Sequence, residues 1–358
     1  MTRSRIAVVV SGFPRRSETF ALNELIALAE RGVLAGIFAT KPGDPDGGQP
    51  GWERLQPHIE LLPEGDEDRQ GVSMAARLAT RSITGIHAYF AHTPAAVAER
   101  AAASLGVPFG FSVHARDARK VASEELARRS RQAACVVACN RDVAGDIRRA
   151  GGRAHLVPHG VDLGRFAVMP QPPGPAMRVL AVGRLVAKKG FEVLIDALAA
   201  LDEDVVLRVV GDGPLRPRLI ERIRARGISH RVTLAGSLTH AELPAEFAAA
   251  HVVAVPSVVD TGGDRDGLPN VVLEAMASGR AVVGSDVGAI TAAVRDGETG
   301  LVVSPGAVGQ LADALRVLAA RHGLRSRMGL RGRHHVERDY DLRACASCFV
   351  GLLEGAYA

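Results

Sequence analysis

The sequence predicts an α/β protein built from two doubly wound parallel sheets. Short β-branched runs alternate with longer Ala/Leu/Arg segments of helical period along the whole chain, the pattern of parallel α/β architecture. A length of 358 residues, at about 150 residues per domain, allows two cores. Between two series of these alternations stands Met169-Pro-Gln-Pro-Pro-Gly-Pro175, which can hold neither a helix nor an interior strand and reads as a linker.

The first series of strand-like runs is Ile6 to Val10, Leu34 to Ala39, Ile86 to Phe90, Phe109 to Val113, Cys135 to Ala138 and His155 to Val157. The second is Arg178 to Val182, Val205 to Val210, Arg231 to Leu234, Val252 to Val255, Ala281 to Val283 and Leu301 to Val303. Domains over 1–168 and 176–338 follow, with the stretches from Pro42 to Gly51 and from Glu64 to Gly71 as surface loops of low complexity. In open α/β sheets ligands bind beyond the carboxyl ends of the strands, so function belongs in the strand-end loops and in a central cleft that the two sheets face.

Composition narrows the class. At 47% hydrophobic and 23% charged residues the chain is no disordered polymer. No apolar run approaches the roughly 18 residues of a membrane span, and Ile6 to Val10 is too short for a signal-peptide core, so a soluble, cytoplasmic protein is expected. The net charge of +5 suits a partner that carries phosphate. With only 4% aromatic residues the stacking platforms of single-strand binders are missing, which argues against nucleic acid. Cys135, Cys139, Cys345 and Cys348 form no disulfide framework. Cys345 and Cys348 with His334 and His335 lack a second pair at ligand spacing, so they read as small buried residues and no metal is expected.

In the first half, the loop after Val10 runs Ser11-Gly12-Phe13-Pro14-Arg15-Arg16-Ser17-Glu18-Thr19-Phe20 into a helix with Leu22, Leu25, Ile26 and Leu28 on one face. It lacks the Gly-x-Gly-x-x-Gly of a dinucleotide site. Gly12 still lets backbone approach a ligand at a helix entrance, and Ser17 or Thr19 with Glu18 can cap that helix. His114 closes the strand Phe109-Gly-Phe-Ser-Val-His114, and His92 lies just past an earlier strand end; either imidazole can bind hydroxyls.

In the second half, Val182-Gly183-Arg184-Leu185-Val186-Ala187-Lys188-Lys189-Gly190 joins a strand to a helix starting near Phe191. A guanidinium fork, a lysine point charge and the helix end's own N–H groups together suit a diphosphate. A tight turn, Val210-Gly211-Asp212-Gly213-Pro214, follows a later strand. Asp266-Gly267-Leu268-Pro269-Asn270 then opens a helix that carries Glu274, with backbone N–H groups at its mouth. The first acid lies in the loop and the second within the helix, an arrangement suited to hydroxyl recognition along a sugar and a ribose.

In order and spacing, the segment Gly183 to Gly190, the turn 210–214, the acid-x7-Glu pair at 266 and 274 and the strand-end His114 resemble the retaining glycosyltransferases of family 4. The likeness covers nearly the whole chain. Ser-Glu-Thr-Phe at 17–20 and Ala-His-Thr-Pro-Ala at 91–95 resemble a subgroup tied to exopolysaccharide assembly. The resemblance implies the GT-B fold: two Rossmann-like domains facing a cleft, the first holding the acceptor, the second the donor, and residues 339–358 forming a helix that crosses back onto the first. It implies transfer of a sugar, with retention and front-face attack, from a UDP- or GDP-sugar to a glycan, lipid-linked saccharide or aminocyclitol-like acceptor. By position, Arg184 and Lys189 would grip the diphosphate, aided by Gly12, and so replace a metal. Glu274 would bind the ribose, Ser237 and Leu238 the base, Asp266 with Gly267, Leu268, Pro269 and Asn270 the transferred sugar, and His114 its hydroxyls. Glu18 and His92 are the acceptor-side candidates. The family usually has Glu where this chain has Asp266, which draws the carboxylate back by one methylene.

Two other activities suit the same fold: a nucleotide-sugar 2-epimerase, and a nucleotide-sugar-binding protein without catalysis. The acid-x7-Glu helix and the Arg-x4-Lys pair argue against the epimerase. The ten Lys/Arg against five Asp/Glu from His114 to Arg153 allow weak peripheral contact with the inner membrane face.

Overall fold

Runs of Val, Ile and Ala without a polar break make strands covered on both faces, as parallel sheets require. The computed structural model describes residues 4–15, 18–45, 49–114, 117, 121–202 and 204–358. It divides into unit 1, residues 1–160 and 342–358, and unit 2, Val161–Asp341.

Unit 1 holds β1 (Ile6–Phe13), β2 (Leu34–Pro42), β3 (Ile59–Leu61), β4 (Gly85–Tyr89), β5 (Phe109–Val113), β6 (Cys135–Ala138) and β7 (His155–Leu156). Their order is β3-β2-β1-β4-β5-β6-β7, and every recorded pairing is parallel. Helices α1 (Thr19–Arg31), α2 (Glu67–Leu78), α3 (Thr93–Leu105), α4 (Ser123–Gln132) and α5 (Arg141–Arg149) connect them.

Unit 2 holds β8 (Met177–Val182), β9 (Val205–Val210), β10 (Val232–Gly236), β11 (Val252–Val255), β12 (Ala281–Ser285) and β13 (Gly300–Val303), in the order β10-β9-β8-β11-β12-β13 and again parallel. Its helices are α6 (Phe191–Ala199), α7 (Arg216–Ala225), α8 (Leu243–Ala249), α9 (Asn270–Ala277), α10 (Ile290–Ala293), α11 (Val308–Ala320) and α12 (His322–Asp339). The last helix, α13 (Leu342–Ala356), belongs to unit 1 and packs on α1.

Several expectations change. The first strand runs on to Phe13, with Gly12 opposite Lys41 and Phe13 opposite Pro42, so Gly12 lies in the strand rather than in the loop after it. Strand β3 was not expected: it is three residues long, centred on Glu60, and stands at the sheet edge where one polar side chain is tolerated. Residues 67–71 are not loop but the start of α2, because Asp66 Oδ1 accepts from the Arg69 N–H at 2.9 Å and caps the helix. Helix α1 begins at Thr19 with Glu18 as N-cap and no side-chain capping bond, so Thr19 does not cap it. Ser17 lies outside the described residues. The proline-rich segment packs within unit 2, where the carbonyls of Pro170, Pro172 and Pro173 accept from Arg280, His251 and Arg178 at 3.0, 2.9 and 2.9 Å. The division between the units falls ahead of it, at Val161.

Just beyond α13, the buried Tyr357 ring lies over β4 and β5. A Cβ on Gly85 or Gly110 would come within 2.4 Å of it. The Tyr357 hydroxyl is 3.0 Å from His87 Nδ1, and His87 Nε2 is 2.8 Å from Ser112 Oγ. Burial pushes the His87 imidazole down from 6.5 to about 3.

In unit 2 the strand-end loops rest backbone on backbone. Gly190, at φ +65°, follows the short 3-10 turn Ala187–Lys189 and precedes α6; a Cβ there would fall 1.8 Å from the Pro256 carbonyl oxygen. Gly288, at φ +59°, would bring a Cβ within 2.1 Å of the Asp266 carbonyl oxygen. The loop after β8 is thereby seated on the loop after β11, and that loop on the one after β12.

Gly190→Ala should destabilise unit 2 by at least ~1–3 kcal/mol, from left-handed backbone strain and overpacking. An unchanged thermal midpoint would show that the loops part freely. His87 is neutral in the fold until about pH 3 but titrates near 6.5 when unfolded. Its contribution to stability is therefore present above pH 6.5 and lost as pH falls toward 3, by up to ~1.4 kcal/mol per pH unit. Urea titrations across that window should show a shallower slope for His87→Gln; equal slopes would contradict the assignment.

Candidate active site residues

The strand order of unit 2 reverses at β8 and β11, the topological switch point where open α/β sheets bind ligands. Both neighbouring loops carry charge. Arg184 is exposed, whereas Lys189 is half-buried and its Nζ lies 2.9 Å from Asp266 Oδ2. The buried Ser257 hydroxyl donates to the same Oδ2 at 2.6 Å. Lys188 Nζ stands 3.8 Å from Asp266 Oδ1 and 3.3 Å from Asp264 Oδ2. Lys189 and Asp266, read from the sequence as gripping different parts of one ligand, thus meet directly. Ser257, Lys188 and Asp264 were not singled out in the sequence, where nothing marks Ser257 apart from its place after a strand.

Helix α9 starts at Asn270 with Pro269 as its N-cap and no side-chain capping bond. The Gly267 carbonyl accepts from the Ala289 N–H at 3.1 Å, tying the loop to the one after β12. Glu274 is buried on α9 and pairs with His240 Nε2 at 3.2 Å. His240 receives the Arg165 guanidinium on Nδ1 and meets the Phe166 ring edge-on at 5.5 Å, so its Nε2 carries the proton toward Glu274. Ser237 is exposed and Leu238 half-buried against the core, both just past β10. The unit offers a lysine, a helix mouth and two buried carboxylates along one sheet edge, a set suited to a diphosphate followed by polyols.

At the carboxyl edge of the sheet in unit 1, His114 ends β5 and is buried. Its Nδ1 lies 3.1 Å from His159 Nε2, and His159 Nδ1 is 3.0 Å from Glu24 Oε1. Tyr89 Oη donates to Glu24 Oε2 at 2.6 Å. Burial would lower the His159 pKa, but hydrogen bonds to Cys139 and Glu24 outweigh it and hold the imidazolium up to about 10. Burial, followed by the charges of His159 and His87, keeps His114 well below the usual histidine range. Glu24 and His159 were missed in the sequence. The available signal was a carboxylate at Glu24 within the Ala21, Leu22, Leu25, Leu28 stripe of α1, where an acid is out of place unless partnered.

Gly12 is covered rather than open: the space of its Cβ is filled by the Pro42 carbonyl at 2.7 Å and the Arg15 guanidinium at 2.8 Å. Glu18 is half-buried ahead of α1. His92 precedes α3, stands 3.8 Å from Asp117 Oδ1 and stacks on Phe90 at 5.6 Å and 13°. Phe90 holds φ +85°, the single positive value at a non-glycine residue among those described, and meets His114 edge-on at 5.4 Å. Such backbone costs about 1–3 kcal/mol and clusters at functional sites.

The basic stretch is partly neutralised. Arg128 and Arg129 pair with Glu99 and Glu125, and Arg149 with Asp146, while Arg116, Arg119 and Lys120 lie outside the described residues. Cys135, Cys139 and Cys345 are buried, but Cys348, on the outer face of α13, is exposed. No described helix is long and apolar enough to cross a membrane.

A family model described as Glycosyltransferase Family 4 matches residues 17–165, and one described as Glycosyl transferases group 1 matches residues 176–321. The α-D-kanosaminyltransferase of Streptomyces kanamyceticus is 35% identical over 177 residues, 49% of this chain and 44% of that protein. The chain spans about half the length of the first curated relatives it matches, 44% and 55%. The putative colanic acid biosynthesis glycosyltransferase WcaL of Escherichia coli is 25% identical over 402 residues, 96% of this chain and 97% of its own. The crystal structure of Anabaena Alr3699/HepE in complex with UDP superposes with a TM-score of 0.82 at 20% identity, covering 98% of this chain and 100% of the other. That likeness gives the two-sheet α/β architecture the GT-B fold. With one model on each half, the chain belongs to the group 1 glycosyltransferases of family 4.

Proposed function

We propose that the chain transfers a sugar, with retention and without a metal, from a UDP- or GDP-sugar to a hydroxyl of a glycan, lipid-linked saccharide or aminocyclitol-like acceptor. The observation that carries this reading is the Lys189–Asp266–Ser257 cluster at the switch point of unit 2, with Glu274 in the helix α9 that follows it. Relatives named for GDP-mannose and for colanic acid, and a structural neighbour solved with UDP, leave both bases as donors.

In this reading Lys189 and Arg184 hold the diphosphate and stabilise the charge that develops as it leaves, and the covered Gly12 takes no part. Glu274, steadied by His240, takes the ribose; Ser237 and Leu238 border the base. Asp266 and the backbone of Gly267, Leu268, Pro269 and Asn270 hold the sugar, and His114 bonds one of its hydroxyls. The bond from the anomeric carbon to the phosphate oxygen breaks as the acceptor oxygen bonds the same face, and the acceptor's proton passes to the departing phosphate. Glu18 and His92 serve the acceptor. A cytoplasmic enzyme, peripheral at the membrane when the acceptor is lipid-linked, fits this chemistry.

A thermal-shift series of nucleoside diphosphates and their sugars is the first test: a ligand of the native state stabilises it by about 2.7 kcal/mol at a hundredfold excess over its dissociation constant. No shift with any of them would remove the donor site. Lys189→Ala should weaken a nucleoside diphosphate by about 1.5–3 kcal/mol, the worth of a charge-assisted bond, and leave the nucleoside unaffected. Equal loss for both would take Lys189 out of the phosphate site. His114→Ala should abolish most transfer while nucleotide affinity holds, and chelator should not inhibit. Conversion of the donor to its 2-epimer without an acceptor would favour the epimerase instead.

A further inference from the structure

The buried polar chain of unit 1 does more than fill space. Four segments far apart in sequence meet in it: Glu24 from α1, Tyr89 from β4, His114 at the end of β5 and His159 after β7. Glu24 has both oxygens engaged, one by the Tyr89 hydroxyl at 2.6 Å and one by His159 Nδ1 at 3.0 Å. A carboxylate accepts and does not donate, so His159 Nδ1 must carry a hydrogen. The Phe20 ring lies against both imidazoles, 4.4 Å from that of His159 and 4.5 Å from that of His114, at 24° and 31°. The two rings are themselves within 17° of parallel, with His159 Nε2 and His114 Nδ1 3.1 Å apart. At the far end, His114 Nε2 is buried and has no hydrogen-bond partner among the described residues.

We propose that Glu24 and His159 are positioning residues that fix His114 as its Nε2–H tautomer, so that this buried nitrogen presents a donor to a hydroxyl oxygen of the transferred sugar. The last clause rests on the reading of His114 given above; the tautomer itself does not. Hydrogen bonds to Cys139 and Glu24 keep His159 doubly protonated, and its Nε2, 3.1 Å from His114 Nδ1, donates to that nitrogen. His114 Nδ1 is then an acceptor, and its one hydrogen sits on Nε2. The high pKa of His159 and the low one of His114 agree with this proton placement.

Cys139 makes a competing arrangement conceivable, because its sulfur and the facing nitrogens of His114 and His159 all lie within 4.8 Å of one another, a grouping that could hold a metal ion. Metal ligation requires His159 to give up its Nε2 proton, and a carboxylate on Nδ1 suits a ligating imidazole as well as a charged one, so zinc titration separates the two arrangements. Ligation would also replace the His159–His114 bond, and the Cys139 sulfur already accepts from Asn140 Nδ2 at 3.3 Å.

The experiment is side-chain nitrogen NMR of histidine-labelled full-length protein, with transfer assays in parallel. Wild-type protein should show His114 as the neutral Nε2–H form and His159 with both nitrogens protonated at pH 7. In the isosteric Glu24→Gln, His159 loses its second proton, keeps the one on Nδ1 facing the amide oxygen, and turns Nε2 into an acceptor. His114 must then shift its hydrogen to Nδ1. The variant His159→Gln, whose amide can still donate, should keep His114 as Nε2–H, and dispersed amide spectra will show that both fold. Glu24→Gln should lose about tenfold in kcat, the scale of one hydrogen bond, with nucleoside diphosphate affinity unchanged. His159→Gln should retain most of the activity. A wild-type His114 found as Nδ1–H, or a tautomer indifferent to Glu24→Gln, overturns the proposal. Stoichiometric zinc binding that moves both histidine signals does the same and makes the cluster a metal site. A tautomer that switches while transfer is untouched overturns instead the sugar contact of His114.

Discussion

The site of unit 2 depends on loops that touch through their backbones. Carbonyl oxygens of Pro256 and Asp266 occupy the places where Cβ atoms of Gly190 and Gly288 would stand, at 1.8 and 2.1 Å. Only residues without a side chain, in left-handed backbone, permit that approach. Because the loops after β8, β11 and β12 are seated in this way, Lys189 and Ser257 converge on one oxygen of Asp266, and α9 opens at Asn270 with its N-terminus toward the same edge. Asp266 is therefore anchored, with the Ser257 hydroxyl donating to it at 2.6 Å.

Unit 1 solves the same problem differently. Its sheet edge is ordered by a buried polar chain, in which Tyr89, Glu24, His159 and His114 each complete a neighbour's hydrogen bonding. Low local dielectric makes such a chain costly if any member is lost and rigid when all are present. Phe20, Phe90 and Tyr89 wall it with rings, and the strained Phe90 backbone turns the end of β4 toward His114 and His92. One unit thus gathers cations and carboxylates at its strand ends, the other a chain of buried nitrogens and oxygens.

Much of this was legible from the chain. Val-rich runs such as Val252 to Val255 admit no reading but a covered strand, and the expected glycine-flanked strand-end loops carry Arg184, Lys189 and Asp266. The exceptions have local causes. Ile59–Leu61 is too short and too polar to show a period, and the helix at Glu67 starts in a Glu-Asp-Arg-Gln-Gly stretch with no apolar residue until Val72, so its cap at Asp66 is the sole sign. The linker reading of Met169 to Pro175 rested on what prolines forbid; it could not show that their carbonyls would satisfy Arg178, His251 and Arg280.

By itself the sequence determined the two-sheet α/β architecture, the family, and the residue types standing at strand ends, because periodicity, glycine placement and motif spacing are properties of consecutive residues. Tertiary structure alone decided which of those residues meet. Glu24 and His159 are 135 positions apart, and Lys189 and Asp266 are 77. Pairing over such distances is set by strand order and loop seating, and so is the proton distribution, since burial and charged neighbours, not residue type, hold His159 charged and His114 neutral.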